Sequence, residues 1–530
     1  MSPTPPISSE PPTPATEPHH LEAQRRANRD AVAALGLNPY GERVEGRLSA
    51  AAARNAYDAE ADAAHQARGK EPGFADARPV VTVAGRVVLQ RDNGKLVWLS
   101  LRDETGDVQV AVSQRDCDEQ GFALAKLTDL GDIAVATGRV MRTKTGEVTV
   151  WASTLRPAAK CLVPPPEKRA GLADVELRYR QRYVDLWSNP ETLRVLALRS
   201  RIVSEMRRFI EARGFLEVET PMLQPLAGGA AARPFVTHMN ALDLDLFMRI
   251  APELYLKRLL VGGLPKVFEI NRNFRNEGLD KQHNPEFTML EAYDAFGDCS
   301  TVMELTESLI RHAARLVAAE RGTEATDGAL RLPFGETMID YASPFDRVSY
   351  AALFERALGF PMSDVARARE ACRERRLFPP EAIAGIDHVL IVNELFERIA
   401  EKTLDPSRPT FITDYPAALS PLTRPRADDP AVAERADLFI GGMEIAPHYT
   451  ELNDPEVQEA KFREQLKGLD AEKGAEEGTF RTMDHDFLRA LRVGMPPAGG
   501  MGLGIDRLVM VLTDQRTIRD VVLFPLMRPE

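Results

Sequence analysis

From Pro79 onward the arrangement of apolar and polar residues changes to short, mostly apolar runs: Val80–Val87, Leu96–Leu101, Val108–Val112, Ile133–Ala136 and Glu147–Trp151. These runs are β-rich, and Gly and Asp turns separate them, which predicts strands. Five strands in about 75 residues predict a small all-β barrel. An OB-fold fits, and such barrels often bind single-stranded nucleic acid. A barrel with no ligand would carry the same pattern. Pro164-Pro165-Pro166 then marks a linker. Ser188-Asn189-Pro190 reads as an N-cap with Pro at the first helical position. Leu198, Ile202, Met206 and Phe209 recur on one helix face, and Gly214 closes that helix. Beyond it strands and helices mix without an internal repeat, and helices dominate 301–320 and 350–405.

Upstream of the barrel, residues 20–70 are Ala-rich and charged, with a break at Gly36, Pro39 and Gly41, so two helices are expected. Arg25, Arg26 and Arg29 lie on the first, as a solvated face or a nucleic-acid contact. Residues 1–18 hold seven prolines and little that is apolar, which predicts a disordered tail. The expected organisation is a tail over 1–18, a helical extension over 19–72, the barrel over 73–160, a linker over 161–190 and an α+β domain over 191–530.

Composition narrows the class only a little. Apolar and charged fractions are ordinary for a globular chain. No apolar run reaches the roughly 18 residues that span a bilayer, so no membrane partner is expected. Met1–Pro18 has neither a basic n-region nor an apolar h-region, so no secretory signal is expected. Cys117, Cys161, Cys299 and Cys372 are far apart and form no CxxC pair, which fits a reducing compartment and a cytoplasmic protein without a zinc site. A net charge of −12 argues against a nucleic-acid partner only mildly, because a local basic face can still hold phosphates.

Candidate chemistry is concentrated in three segments. There is no GxxxxGK[ST], which excludes a P-loop. Gly500-Met501-Gly502-Leu503-Gly504 has GxGxG spacing and no βαβ unit after it, which excludes a Rossmann site. In Lys266–Glu277 the residues Glu269, Asn271, Asn273 and Arg275 share one strand face, and a polar inward face implies a ligand. Phe287, Met289, Glu291 and Tyr293 share a face of the next strand. Together these predict an antiparallel hairpin carrying a phosphate-sized cation (Arg275), an aromatic platform (Phe287) and an acid (Glu291). Asp437 and Glu444 flank Phe439-Ile440-Gly441-Gly442, and paired carboxylates beside a nucleotide suit Mg²⁺. Tyr449 and Glu451 follow with period two. Arg507 falls in the first turn of an apolar helix, where a cation opposes the dipole, so an anionic ligand is expected there.

These segments resemble a known family. Gly214-Phe215-Leu216-Glu217-Val218-Glu219-Thr220-Pro221 resembles motif 1 of the class II aminoacyl-tRNA synthetases. Phe274-Arg275-Asn276-Glu277 with His283-Asn284-Pro285-Glu286-Phe287-Thr288 resembles motif 2, and Gly502-Leu503-Gly504-Ile505-Asp506-Arg507 resembles motif 3. Tyr179–Tyr183, Arg249–Arg258 and Glu451-Leu452-Asn453-Asp454 place the chain with the lysyl-tRNA synthetases, over about residues 79–528. The resemblance implies an antiparallel sheet of six to seven strands flanked by helices, an N-terminal OB-fold anticodon domain and a homodimer built partly through motif 1. It implies ATP and L-lysine as substrates, Mg²⁺ as cofactor and tRNA(Lys) as partner. Arg275 would hold the α-phosphate and the lysine carboxylate, Phe287 would stack on adenine, and Arg507 would bind the γ-phosphate. Glu277, His283 and Glu444 complete the implied ATP site, with Asp437 and Glu444 on Mg²⁺. Glu253 would take the α-ammonium, Glu291, Tyr293 and Glu451 the ε-ammonium, and Tyr449 would wall the aliphatic stem. Arg86, Trp98, Gln109 and Glu147 match positions that contact U-rich anticodon bases.

The chain departs from the family near the chemistry. Pro447 stands for an Asn, Gln282 for an Arg, Asp437 for a Glu and Ala231 for a small polar residue, and His448 is new. Family members usually carry Phe at the position of Trp98, and either ring can stack. Two alternatives therefore stand beside a lysine–tRNA ligase: a paralogue that passes lysine or an analogue to a protein, and an inactive RNA-binding relative.

Overall fold

The computed structural model describes residues 20–166, 172–230, 232–323, 329–471 and 483–529. The tail expected over 1–18 and the substituted Ala231 lie outside the described residues. The chain divides into two compact units, Met1–Leu193 and Arg194–Glu530.

In the first unit the Ala-rich segment forms three helices, not two: His20–Ala34, Ala50–Asn55 and Ala59–Arg68, with a short strand Arg47–Leu48 between the first two. The extra boundary comes from capping. Ser49 accepts from the Ala52 N–H, and Asp58 accepts from the Glu60 and Ala61 N–H groups, so two helix starts lie in what composition reads as one run. Arg25 is neither solvated nor free for nucleic acid. It is buried, and its guanidinium donates to the carbonyls of Leu130 and Cys161 at 2.9 and 2.8 Å.

The five expected strands are present and longer than their apolar runs: Val80–Asp92, Leu96–Asp103, Gly106–Ser113, Ile133–Arg142 and Val148–Ala159. The first pairs with the second and the fourth, the third with the second and the fifth, and the fourth with the fifth, which closes a barrel. Alternate residues point inward, among them Val83, Leu99, Leu101, Val110 and Ala136, all nearly inaccessible. The strands run on into polar residues such as Gln90, Arg91 and Asp92, so the apolar runs under-report strand length.

Half of the expected linker over 161–190 is folded. Helices Val175–Arg180 and Arg182–Ser188 lie in it, and Arg182 meets Asp185 at 2.6 Å with both side chains inaccessible. A charged stretch that looked like a connector is a buried ion-pair network, as a charge out of water requires.

The second unit is built on a sheet of eight strands, not six to seven. In order they are Asp346–Ser349, Thr410–Pro416, Val432–Ile440, Met443–Thr450, Ala498–Gly504, Glu286–Ala295, Lys266–Phe274 and Leu216–Glu217. The interior pairs are antiparallel, and the two edge pairs are parallel. Helices Pro190–Glu211, Cys299–Glu320 and Ile505–Thr513 contribute Ile202, Met206, Ile310, Ala313, Leu508 and Val511 to one core with the sheet. The helical run over 350–405 forms its own cluster, in which the Tyr350 and Phe396 rings stack at 3.6 Å. Among the described residues no helix is long and apolar enough to cross a membrane.

Candidate active site

The hairpin expected from period-two spacing forms, and its register sets the site. Lys266–Phe274 pairs with Glu286–Ala295 so that Glu269 faces Glu291, Asn271 faces Met289 and Asn273 faces Phe287. The next strand, Ala498–Gly504, puts Gly500 opposite Tyr293 and Gly502 opposite Glu291. On its other side Gly500 pairs with Tyr449. Hydrogen-bonded partners share a face, so Glu291, Tyr293, Tyr449 and the bare backbone of Gly500 and Gly502 line one concavity. The glycines are required by space. A Cβ on Gly500 would fall on Glu451 Oε1 and 2.7 Å from the Tyr293 ring, and one on Gly502 would fall on Met289 Cε.

The floor of this concavity is acidic and dry. Glu291 and Glu451 are buried, and the Tyr293 hydroxyl donates to Glu291 at 3.2 Å. Burial first, and the nearby Glu253 second, push the Glu291 carboxyl up from 4.5 to about 8. Burial pushes the Glu451 carboxyl upward too, against the pull of Lys257. Lys257 is inaccessible, 2.6 Å from Glu253 Oε1 and ion-paired with Glu451 Oε2. Burial alone would lower its pKa, but Glu253 and Glu451 outweigh it and hold the ammonium above its ordinary value. One ammonium among three carboxylates leaves negative charge uncompensated, and Glu451 Oε1 is buried with no hydrogen-bond partner.

Beneath this, Arg249 donates to Glu269 at 2.6 Å and Thr220 donates to the same carboxylate at 2.7 Å, with both charged side chains buried. That brace ties motif 1 to the hairpin and was not read from the sequence. Nor was Lys257. Its spacing of four from Glu253 is a visible signal, but on a helix such pairs are ordinarily exposed.

The opposite end of the site is cationic. Arg275 follows the hairpin strand, its amide donating to the Pro285 carbonyl at 2.8 Å and its guanidinium 5.1 Å from the Phe287 ring centre. Burial lowers its pKa, and its Nε is buried without a partner. Arg507 lies in the first turn of Ile505–Thr513, as expected. It donates to the Glu444 carbonyl at 2.9 Å and to His283 Nε2 at 2.9 Å, while His283 Nδ1 faces Asp280 at 2.7 Å. The ring is therefore the Nδ1–H tautomer. Asp506, one residue before Arg507, accepts from the Thr288 amide at 2.7 Å and pairs with Arg199 at 2.5 Å, so motifs 2 and 3 and the helix Pro190–Glu211 meet at one carboxylate. Glu277 is exposed beside Arg275.

Asp437 pairs with Pro447 and Glu444 with Phe439 on the far side of a bulge between Leu438 and Phe439, and the Asp437 charge acts on Glu444. Asp437 is buried and bound at both oxygens by Arg435, at 3.0 and 2.6 Å. Glu444 is exposed by area yet ringed by protein, and that enclosure, then Asp437, raises its carboxyl. A carboxyl raised by a neighbouring carboxylate fits a cation beside it. Each Asp437 oxygen keeps a second lone pair beyond its Arg435 bond. Among the described residues no group of three or more His, Cys, Asp or Glu side chains is placed to hold a metal by themselves, so the remaining ligands would be phosphate and water.

The departures from the family pattern find local explanations. Pro447 pairs with Asp437, while the ladder to the glycine strand covers only 448–450. The strands have parted where the Pro lacks its N–H, which makes it tolerable inside a sheet. His448 is fully buried between the Ala436 carbonyl at 3.1 Å and the Thr306 hydroxyl at 2.8 Å. Burial depresses it to about 4, so it stays neutral and packs. Gln282 lies exposed in the loop, its amide donating to Asp280.

On the barrel, Trp98, Ala111 and Trp151 form one cross-strand row, and Ser100, Gln109 and Thr149 the next. Thr149 donates to Gln109 at 2.8 Å, and the Trp98 and Trp151 rings meet edge to face at 6.2 Å. Trp151 was not singled out by sequence. Glu147 is exposed at the start of its strand. Arg86 does not join this row. Its guanidinium donates to the Gly131 carbonyl at 2.7 Å and lies 4.9 Å from the Trp187 ring, and the side chain is half-buried.

The family model described as tRNA synthetases class II (D, K and N) matches residues 174–528, and the one described as OB-fold nucleic acid binding domain matches residues 81–158. The chain is 48% identical to a lysine–tRNA ligase of Carboxydothermus hydrogenoformans over 85% of its own length and 89% of that protein. It is 48% identical to one of Azoarcus sp. over 87% and 89%. To one of Pelotomaculum thermopropionicum it is 45% identical over 96% of each.

Proposed function

Since the chain belongs to the lysine–tRNA ligases of class II, we propose that the acidic concavity is its lysine site and the Arg275–Arg507 end its ATP site. The enzyme activates lysine with ATP and transfers it to tRNA. The observation that carries the placement is the charge layout: Glu253 and Glu451 on one ammonium with Glu291 beside Glu253 at one end, and a guanidinium with a buried, unpartnered Nε at the other. A lysine zwitterion reverses that layout group for group.

In this reading the lysine carboxylate attacks the α-phosphorus, the O–P bond to the adenylate forms, and pyrophosphate leaves. No side chain acts as nucleophile. Arg275 holds the attacking carboxylate and the α-phosphate together, so catalysis is positioning plus charge stabilisation. Phe287 offers its ring to adenine, Arg507 and His283 receive the outer phosphates, and Glu277 lies beside Arg275. Mg²⁺ would be held by Glu444 and Asp437 and would neutralise phosphate charge. The tRNA 3′-terminal hydroxyl then attacks the acyl carbon, and AMP leaves. Glu253 takes the α-ammonium, Glu291, Tyr293 and Glu451 the ε-ammonium, and Tyr449 the stem. A homodimer through motif 1 is supported by the exposed apolar side chains of Leu216, Leu223, Val236, Leu242 and Leu244.

The direct test is ATP–pyrophosphate exchange across the amino acids, followed by charging of total tRNA. Exchange with lysine above all others is expected, and equal exchange with ornithine or norleucine would refute the pocket assignment. Gly500→Ala tests the same pocket by volume. The new methyl displaces Glu451 and the Tyr293 ring, so the KM for lysine should rise at least about tenfold while the KM for ATP holds, a loss of one charge-assisted contact. An unchanged lysine KM would place lysine elsewhere.

The barrel face of Trp98 and Gln109, with Glu147 at its edge, is proposed to take the anticodon, and Trp151 joins it through its contact with Trp98. Arg86 supports that face from within. Stacking on an aromatic side chain is worth about 1–3 kcal/mol per base. Trp98→Ala should therefore raise the KM for tRNA about 5- to 150-fold and leave lysine-dependent exchange untouched. Steady-state charging kinetics decide it, and loss of exchange would contradict the separation of roles.

A further inference from the structure

Lys257 belongs to helix Glu253–Val261, one turn after Glu253. Such a pair is expected on a solvated face. Here the lysine side chain is inaccessible, its Nζ 2.6 Å from Glu253 Oε1 and ion-paired with Glu451 Oε2. Taking an ammonium out of water is costly and persists only where charges compensate it. Its partners are two side chains that the lysine-site reading gives to the substrate. Glu253 and Glu451 therefore divide their oxygens between an internal cation and the incoming one. Both Glu451 oxygens are buried, Oε2 has the ion pair with Lys257, and Oε1 has no ion pair and no hydrogen bond.

The charge count gives the arrangement a purpose. With all three carboxylates ionised, Glu253, Glu291 and Glu451 bring three negative charges and Lys257 one positive, so the pocket that receives lysine presents two. The substrate's α- and ε-ammonium groups bring two, and its carboxylate is matched by Arg275. Without Lys257 three carboxylates would face two ammonium groups, and one would keep a proton.

We propose that Lys257 is a positioning residue for lysine recognition, which fixes the pocket's charge at two and turns Glu253 and Glu451 toward the substrate's two ammonium groups. The proposal rests on the lysine-site reading above. The groups facing this cluster are Glu253 on the helix itself, Glu291 and Tyr293 on Glu286–Ala295, Glu269 and Arg275 on and after Lys266–Phe274, Arg249 before it, Cys299, and Tyr449 and Glu451 at the end of Met443–Thr450. Of the cations among them, Arg249 is spent on Glu269 and Arg275 serves the carboxylate end.

The experiment is the pH dependence of the lysine KM in ATP–pyrophosphate exchange, from pH 6 to 9. It uses the full-length wild type, Lys257→Met, and the double variant Lys257→Met with Glu253→Gln. In Lys257→Met the pH at which the lysine KM levels off should rise by about one unit, a tenfold weakening at pH 7. That loss should be regained at high pH, with the ATP KM unchanged. The double variant loses one charge of each sign, so its midpoint should return to the wild-type value although its affinity stays weaker. A merely structural lysine would alter melting temperature and not the midpoint. An unshifted midpoint in Lys257→Met overturns the proposal, as does an upward-shifted midpoint in the double variant, which stays readable if the single variant does not fold. Failure of the lysine-site reading is distinct: the wild type itself would then show no lysine-selective exchange.

Discussion

Glu291→Gln is expected to lower kcat/KM for lysine by about 10²–10⁴ while leaving the ATP KM within twofold. Removing one partner of a buried charge pair costs roughly 3–5 kcal/mol, and each 1.36 kcal/mol is a factor of ten. The substrate ammonium would meet an amide of the same shape that cannot neutralise it. The substitution should also stabilise the empty protein. Glu291 has its pKa raised from 4.5 to about 8 by burial and by Glu253. Its contribution to folding stability is therefore fully present below 4.5 and is lost as pH rises to about 8, because the unfolded chain ionises across that window and the folded one resists. The melting temperature of the variant should exceed that of the wild type by a margin that grows from pH 5 to 8. The same ionisation makes lysine binding tighten in the wild type as pH rises toward 8, since the ammonium favours the charged carboxylate. A lysine KM unaffected by the substitution, or flat in that pH range, would remove Glu291 from the site.

Arg275→Ala is expected to slow adenylate formation by about 10³ or more, measured as the single-turnover burst of pyrophosphate. Guanidinium groups that stabilise a transferring phosphoryl are worth that much. Arg275 is placed for it by the hairpin register and the Pro285 carbonyl, with Phe287 beside it. Its Nε is buried and unpartnered, and burial lowers its pKa, which is a cost the empty protein bears. Alanine should thus raise the melting temperature slightly while abolishing activation. Arg275→Lys should rescue little, because a point charge cannot bridge carboxylate and phosphate as a planar fork does. Full activity in Arg275→Lys would show that charge alone is needed.

Both predictions trade stability for function at one site, and both positions were legible before the fold. Period-two spacing put Arg275, Phe287 and Glu291 on facing strands, because a hairpin's side-chain alternation is local. The barrel was legible for the same reason, and the helix start at Pro190 because a cap needs only three residues. Local signals failed where burial reversed the usual meaning of charge. Arg25, Arg182 and Asp185 look like surface residues in sequence and are interior. The edge strands Leu216–Glu217 and Asp346–Ser349 have too few residues to show a period, so the sheet's width was under-read.

The sequence by itself determined the two-part architecture, the three motifs and the residue types proposed to meet substrate, because these depend on spacing within a strand, a hairpin or a helix turn. Only the tertiary structure decided how the charges are distributed. Lys257 and Glu253 come from one helix and Glu451 from a strand end nearly two hundred residues away. Exclusion of water makes each of those pairings consequential, and burial is a property of the packed whole that no local pattern encodes.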